Sequence, residues 1–267
     1  MKANVLDLNG SVMKQIELPE VFEETINNAL IKRAVLSIQT AAVQRKGAKK
    51  GAGRNYTAVY KGSRIKPSKH RIINNEMSRL PRLKNRRYLS AGKVALVPHA
   101  VHGPKAHPLK AEKNPVEYIN RAEKRKATKS AIAATCDIEL VKKRGHRFGE
   151  VALPIVVEGK IEELDRTKKV VELLKKLRLW SDVERAKEGR GYRPGKGKMR
   201  GRKYKHAKSV LFVVEKTEKF FRAGRNLEGV DICSVTDLNA KILAPGTNPG
   251  RLTVWSEPAI KKLGEAK

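Results

Sequence analysis

The feature that most constrains this chain is the uneven distribution of its charge. Residues 45–111 hold eighteen Lys and Arg against one acid, Glu76, and residues 189–208 hold nine against none. These two segments supply 26 of the 32 excess positive charges, so the other 180 residues carry only +6. Cations without neighbouring acids favour an external polyanion. The pattern predicts a nearly neutral globule, formed by residues 1–44 and 113–267, that carries two basic appendages.

The near-neutral part alternates short apolar runs with amphipathic segments. Apolar residues at steps of three and four predict a long helix over residues 20–44, and Asn114-Pro115-Val116-Glu117 has the capping residues of a second helix start. Further strands are predicted at residues 153–157, 210–214, 230–235 and 252–255. Further helices are predicted at residues 170–177, at residues 181–184, from about residue 237, and from Ser256 to Leu263. This alternation is typical of a parallel sheet covered on both faces. We therefore expect one globular domain of the α/β class, a three-layer α/β/α arrangement with a mostly parallel sheet.

Residues 45–112 are predicted to form a long extended loop between the first two helices. Ordering each residue costs about 1–2 kcal/mol, and the few apolar residues of this segment bury too little area to offset that cost. Something outside the chain must therefore order it. Its cations and interleaved tyrosines favour folded RNA, because Lys and Arg contact phosphates and tyrosines stack on bases. A disordered tail with nonspecific affinity is the alternative, but this segment is anchored in the globule at both ends.

Enzyme and metal chemistry find little support in the sequence. The turns after the predicted strands lack nucleotide-binding glycine motifs, and the one glycine-rich match, residues 195–201, lies in a basic stretch with no predicted strand before it. No Cys or acid lies among His99, His102 and His107, so contact with a phosphate or a base is as economical for them as a metal site. No Ser-His-Asp or paired-carboxylate arrangement stands out. We expect no catalysis, no cofactor, no metal and no small-molecule substrate.

Hydrophobic runs, the N-terminal residues and the cysteines indicate where in the cell the protein is located. No apolar run approaches the roughly 20 residues of a spanning helix, and the N-terminus lacks a secretory signal. Cys136 and Cys233 are isolated from each other and lie beside apolar residues, as is typical of reduced core cysteines. We expect a cytoplasmic protein without a membrane partner.

Several motifs, in order along the chain, carry a family resemblance. They are VPHAVHGPKAHP at 97–108, SAIAAT at 130–135, GKGKMRGRKYK at 195–205, RN at 225–226, LAPG at 243–246 and PGRLT at 249–253. The chain resembles ribosomal protein four of the large subunit in its archaeal and eukaryotic form. That resemblance implies a three-layer globule on the ribosome surface that binds large-subunit ribosomal RNA and adjoins neighbouring ribosomal proteins. It also implies that the long loop helps to line the peptide exit tunnel and that the protein supports subunit assembly.

The candidate rRNA-binding residues are the cations, tyrosines and histidines of the two basic segments. They are Arg45, Lys46, Lys49, Lys50, Arg54, Tyr56, Tyr60, Lys61, Arg64, Lys66, Lys69, Arg71, Arg79, Arg82, Lys84, Arg86, Arg87, Lys93, His99, His102, Lys105, His107, Lys196, Lys198, Arg200, Arg202, Lys203, Tyr204 and Lys205. Candidates for the tunnel wall, at the loop tip, are Lys61, Ser63, Arg64 and Lys66. The alternative functions are an RNA-modifying enzyme and a DNA-architectural protein with a basic loop.

Overall fold

The computed structural model of the chain describes residues 1–60, 78–84, 89 and 91–265. Two compact units make up the chain. The first consists of Met1–Ala42 and Val116–Lys267, and we call it the globule. The second is Val43–Pro115, and we call it the insertion.

The regular elements of the described residues are numbered along the chain. The strands are β1 (Lys2–Leu6), β2 (Val12–Glu17), β3 (Ala58–Tyr60), β4 (Pro81–Leu83), β5 (Ile155–Val157), β6 (Gly191–Tyr192), β7 (Tyr204–Lys205), β8 (Leu211–Val214), β9 (Asp231–Ser234) and β10 (Thr253–Ser256). The α-helices are α1 (Asn28–Ala41), α2 (Arg121–Ala133), α3 (Ile138–Lys143), α4 (Thr167–Lys176), α5 (Trp180–Glu188), α6 (Glu218–Gly224), α7 (Ala240–Leu243) and α8 (Glu257–Glu265). Short 3-10 turns span Glu20–Glu23, Gly159–Glu163, Lys196–Arg200 and Pro245–Thr247.

A six-stranded sheet in the order β2-β1-β5-β10-β8-β9 forms the centre of the globule. β1 and β2 pair antiparallel, and the remaining neighbours pair parallel. Every residue of β5, β8 and β10 is buried, because helices cover both faces of these strands. The predicted α/β class with a mostly parallel sheet is therefore confirmed.

Two hydrophobic cores lie on opposite faces of this sheet. Alternate strand residues such as Val156 and Trp255 join buried residues of α1, α2, α7 and α8, and Phe22 meets the Trp255 ring edge-on at 5.2 Å. Their strand neighbours, such as Val157 and Phe212, join buried residues of α3, α4, α5 and α6. Because successive strand side chains point to opposite faces, the two cores produce three layers. This arrangement confirms the α/β/α prediction.

The predicted starts of the first two helices were wrong, because hydrogen bonds between residues distant in sequence fix where these helices begin. The first helix begins at Asn28 rather than residue 20: Asn27 caps it by accepting from Leu30 N, and the Asn27 N–H donates to Ser130 Oγ at 2.7 Å. It ends at Ala41 rather than residue 44. The second helix begins at Arg121 rather than after Asn114, since the N–H of Glu117 donates to Thr40 Oγ1.

Other boundaries shift by a few residues. Ser181 lies inside α5 instead of capping it, and its hydroxyl donates to Arg147 O. α7 is capped by Asn239 and begins three residues after the predicted position at 237. At the last helix, Ser256 Oγ accepts from Ala259 N, as a capping residue does.

The β1–β2 hairpin was not predicted from the sequence. β1 alternates between exposed and buried residues and β2 is mostly exposed, so no continuous apolar run marks them. Within the described residues, no helix combines the length and hydrophobicity needed to cross a bilayer.

Candidate nucleic-acid interface

Ion pairing differs sharply between the two units. All salt bridges among the described residues join groups of the globule. In the described part of the insertion, no Lys or Arg contacts a carboxylate. The exposed cations there are Arg45, Lys46, Lys49, Lys50, Arg54, Arg79, Lys84, Lys93, Lys105, Lys110 and Lys113. Their charge therefore faces solvent without a counterion among the described residues.

The two ends of the insertion pack against each other. Ala48 N donates to Leu109 O at 2.9 Å, and a Cβ added at Gly53, whose φ is +79°, would overlap the backbone of Gly103 and Pro104. Only glycine permits both the positive φ and this close approach. Residues 48–54 and 103–109 enclose an open cavity of about 880 Å³ whose lining includes Lys49, Lys50, Arg54, Lys105 and His107. We call this region the stem.

A short ribbon lies further along the insertion. β3 pairs antiparallel with β4, and Ala95 N donates to Pro81 O. Tyr56 and Tyr60 are exposed beside it. Among the described residues of the insertion, only Arg82, Ala95 and Pro104 are buried. Such a small buried set cannot supply a hydrophobic core.

Arg82, a predicted RNA-binding residue, has its guanidinium occupied inside the insertion. It is 8% exposed and donates to Gly92 O, Ser78 O and Ser78 Oγ at 2.9–3.0 Å. These bonds join β4 to Ser78, which precedes it, and to Gly92, which follows it. Arg82 therefore organises the ribbon rather than offering its charge to a ligand.

The remaining candidates of the insertion divide into two groups. His99, His102 and His107 are exposed, and the described residues contain no group of three or more His, Cys, Asp or Glu side chains arranged to hold a metal ion. The other group lies outside the described residues; it comprises the tunnel candidates Lys61, Ser63, Arg64 and Lys66, together with Lys69, Arg71, Arg86 and Arg87.

The second basic segment folds as a hairpin of the globule, residues 190–208. β6 and β7 pair antiparallel with Tyr192 opposite Tyr204, and the connection contains the 3-10 turn Lys196–Arg200. Arg193 braces the connection by donating to Arg202 O and Tyr204 O. The exposed cations of this hairpin without a carboxylate partner are Lys196, Lys198, Arg200, Arg202, Lys203 and Lys205. Six predicted RNA-binding cations therefore share one small surface.

Acids fix the base of the hairpin to the sheet. Glu228 pairs with Arg190 at 2.9 Å and with His206 at 2.7 Å, and Asp231 of β9 pairs with Lys208 at 2.9 Å. Burial alone would raise the pKa of Asp231, but the neighbouring Arg251 and Lys208 outweigh it and hold that pKa below its usual value. The carboxylate therefore stays charged and keeps the hairpin base in place.

Arg251 of the PGRLT motif connects this anchor to the core. It is fully buried and donates to Ser209 O, Ile242 O and Asp231 Oδ2 at 3.1, 2.9 and 2.6 Å. These bonds tie together the starts of β8 and β9 and the end of α7. Arg251 thus positions the hairpin base.

Sequence reasoning missed Tyr192 and Arg190. The Tyr192 and Tyr204 rings lie 4.8 Å apart, and the Arg190 guanidinium lies 4.3 Å from the centre of the Tyr204 ring. Two tyrosines flanking a run rich in Gly and Pro are a hairpin signal that could have revealed the pair.

The carboxyl edge of the parallel sheet, where α/β proteins bind nucleotides, is occupied by the chain itself. Glu162 accepts from Glu215 N, Lys216 N and Ser256 Oγ at 2.7–3.0 Å. The adjacent cavity is also lined by Glu163 and Glu218. Glu162 thus takes backbone donors that a phosphate would need, and the cavity is lined by four glutamates and two lysines, Lys216 and Lys219.

The fold and these surfaces define a class: a basic α/β protein whose unpaired cations and exposed tyrosines face solvent. Within that class, the chain belongs to the ribosomal protein L4/L1 family, whose model matches residues 16–266. It is 46% identical over 265 residues to the large ribosomal subunit protein uL4 of Archaeoglobus fulgidus, covering 99% of both chains. It is 47% identical to the proteins of that name from Methanocaldococcus jannaschii and Methanospirillum hungatei, again over 99% of each chain. The family expected from the motifs is confirmed.

Proposed function

We propose that this protein is a structural constituent of the large ribosomal subunit that binds large-subunit ribosomal RNA and adjoins neighbouring ribosomal proteins in the cytoplasm. The observation that carries the proposal is the 46–47% identity, over nearly the full length, to proteins named large ribosomal subunit protein uL4. The matched length includes both basic regions. The function is therefore assigned to the whole chain.

The unpaired cations supply the physical basis for RNA binding. Each phosphate that a Lys or Arg neutralises releases condensed counterions, so binding gains free energy from the salt solution itself. The stem presents Lys49, Lys50, Arg54 and Lys105, and the hairpin presents six more cations. Two separate surfaces of this kind suit a large folded RNA better than a short duplex.

A structural role also fits the sheet edge. Because Glu162 takes the two backbone N–H groups after β8 and the Ser256 hydroxyl at the end of β10, those donors are not available to a phosphate. We propose that the chain is not an enzyme and takes no cofactor. An RNA-modifying enzyme would need an acid, base or nucleophile arrangement elsewhere in the chain.

Sedimentation tests the assignment. A tagged copy expressed in an archaeal host should comigrate stoichiometrically with the large subunit on a sucrose gradient through moderate salt. A variant of the stem with Lys49, Lys50 and Arg54 changed to Ala serves as the comparison. We expect less of this variant in the large subunit than of the wild type, because the stem loses phosphate contacts. A wild-type chain that stays at the top of the gradient would contradict the proposal.

We also propose, from the family resemblance, that the tip of the insertion helps to line the peptide exit tunnel. The tip, residues 61–71, lies outside the described residues. About 21 residues run from residue 45 to the middle of the tip, and at ~3.3–3.6 Å per residue the tip can reach up to roughly 70–75 Å from the base. The base then anchors the insertion while the tip reaches the tunnel.

Deleting residues 61–71 should leave incorporation largely intact while changing tunnel-dependent behaviour, such as nascent-chain stalling or sensitivity to tunnel-binding antibiotics. The stem variant with Lys49, Lys50 and Arg54 changed to Ala should do the opposite and impair incorporation. Arg82 is left unchanged in both because it holds the ribbon together. Exclusion of the tip deletion from particles, with normal assembly of the stem variant, would refute this division of roles.

A further inference from the structure

The hairpin holds a pair of tyrosines whose arrangement is not needed for the binding of phosphates by its cations. Tyr192 and Tyr204 face each other across β6 and β7, with ring centres 4.8 Å apart, planes tilted by 49°, and the Tyr204 hydroxyl donating to the Tyr192 oxygen at 3.2 Å. Neither ring belongs to either hydrophobic core of the globule. Tyr192 is 62% exposed. Two ordered aromatic faces are thus held at the surface beside a cluster of cations.

The inner ring is fixed from several directions. Arg190 covers Tyr204 at 4.3 Å and is itself held by Glu228 at 2.9 Å. Arg193 donates to the backbone oxygen of Tyr204. Tyr204 therefore provides a rigid support for Tyr192, whose ring is the more exposed of the two.

The surroundings of Tyr192 have the charge of a nucleotide site. Lys203 Nζ lies 5.4 Å from the centre of the Tyr192 ring and 5.7 Å from that of Tyr204. Lys198 and Arg200 lie in the adjoining 3-10 turn, exposed and without a carboxylate partner. An aromatic face bordered by free cations matches the two parts of a nucleotide, a planar base and a charged phosphate.

We propose that the Tyr192–Tyr204 pair is a stacking site for one unpaired nucleotide of the RNA, with Tyr192 receiving the base and Lys198, Arg200 and Lys203 receiving the flanking phosphates. A base exposes its face to a side chain only when it leaves the helical stack, so bulged or loop nucleotides fit and duplex RNA does not. This inference rests on the proposed function and specifies the kind of RNA that the hairpin binds.

Salt dependence separates stacking from charge. Stacking releases no counterions, whereas each lost phosphate contact lowers the slope of log affinity against log salt by roughly 0.7 to 0.9. Tyr192→Leu removes the aromatic face but keeps apolar bulk, and Tyr192→Phe keeps the face and loses only the hydroxyl. Lys198→Gln removes one charge from the same turn and serves as the comparison.

The experiment measures binding of the full-length variants to large-subunit rRNA of the same organism at several salt concentrations. Tyr192→Leu should weaken binding roughly five- to hundredfold with an unchanged salt slope. Tyr192→Phe should bind like the wild type, and Lys198→Gln should show a reduced slope. Chemical probing should find one reactive, unpaired nucleotide protected by the wild type and by Tyr192→Phe but exposed with Tyr192→Leu.

Each other outcome has a definite meaning. Wild-type affinity in Tyr192→Leu, or equal loss in Tyr192→Leu and Tyr192→Phe, overturns the stacking site while leaving the proposed function intact. Protection confined to base-paired nucleotides overturns it as well. Failure of the wild-type chain to bind the rRNA overturns the proposed function and the stacking site together. Thermal unfolding of the variants checks that the exposed substitution leaves the globule folded.

Discussion

Arginine has different roles in the two kinds of region in this chain. In the globule, Arg251 is fully buried against Asp231, and Arg185 pairs with the buried Asp182 at 2.8 Å. In the hairpin, Arg200 and Arg202 are exposed and have no carboxylate partner. The positions of the acids, more than those of the cations, therefore decide whether a basic residue stabilises the fold or remains available to an external polyanion.

Arg82 shows that an absent acid is not sufficient for availability. Among the described residues of the insertion it has no carboxylate partner, yet its guanidinium is buried against the carbonyls of Gly92 and Ser78. Backbone oxygens replace the carboxylate in this case. A cation counts as available only when both carboxylates and carbonyls leave it unoccupied.

The largest effect is expected from removing four available cations at once. Changing Arg200, Arg202, Lys203 and Lys205 to Ala should lower the salt slope of rRNA binding by roughly 3, which corresponds to about a thousandfold weaker binding near 0.1 M salt. The free energy of unfolding should stay unchanged, since these side chains are exposed. Binding across a salt series and urea unfolding provide the two measurements.

A matched variant removes the same charge from paired positions. Lys14, Lys160, Lys169 and Lys261 each contact a carboxylate in the globule. Changing all four to Ala should leave the salt slope close to that of the wild type. If the salt slope of rRNA binding decreased equally in both variants, net charge rather than the absence of a carboxylate partner would govern binding.

A smaller effect, on stability rather than binding, is expected for the buried arginine. Arg251→Met should lower the free energy of unfolding by about 3 kcal/mol, because Asp231 and three carbonyl groups lose a charged donor. Arg200→Met, the exposed counterpart, should change it by less than about 0.5 kcal/mol. Equal unfolding free energies for the two variants, measured in urea, would contradict the assigned roles.

The smallest effect is a pH dependence of globule stability. Burial lowers the pKa of His146 below its ordinary value of 6.5, although its Nδ1 lies 2.9 Å from Asp182 Oδ2. The unfolded chain therefore takes up a proton that the folded chain resists, so stability present above about pH 6.5 is lost as the pH falls through the lower, folded-state pKa. Urea unfolding between about pH 7 and pH 5 should show this decline.

Asp182 acts at lower pH. Burial alone would raise its pKa, but hydrogen bonds from His146 and Arg185 outweigh burial and hold the pKa below its ordinary value. Its contribution therefore persists until the pH falls through that lower pKa. His146→Gln should remove the decline above about pH 5, and His107→Gln, on the exposed insertion, should not. An unaltered decline in His146→Gln would assign it to another group.

The fold class can be predicted from the sequence because the central strands are continuous apolar runs. Residues 210–214 and 252–255 are continuous apolar runs since helices cover both of their faces, and β8 and β10 lie there. The edge hairpin β1–β2 has no such signal, because most of its side chains face solvent. The helix start at Arg121 depended on a bond between Glu117 and Thr40, 77 residues apart, which no local pattern contains.

The candidate interface was predictable in composition but not in arrangement. Counting charges located both basic segments, and the family resemblance gave the function. Which cations are occupied depends on contacts distant in sequence, such as Arg190 with Glu228, 38 residues apart. The Tyr192–Tyr204 pair likewise depends on a register that only the folded hairpin fixes.

Hydrogen exchange of the full-length chain, with and without large-subunit rRNA, distinguishes a globule that is stable by itself from basic segments that RNA protects. Amides of β5, β8 and β10 should exchange slowly in both states, because the globule is stabilised by its own cores and ion pairs. Amides of Val43–Pro115 should exchange rapidly in the free protein and slow strongly when rRNA is bound, whereas those of residues 190–205, already held by the β6–β7 pairing, should slow further on binding. If the insertion were as protected as the sheet without RNA, or if RNA slowed exchange only in the globule, the account would be contradicted.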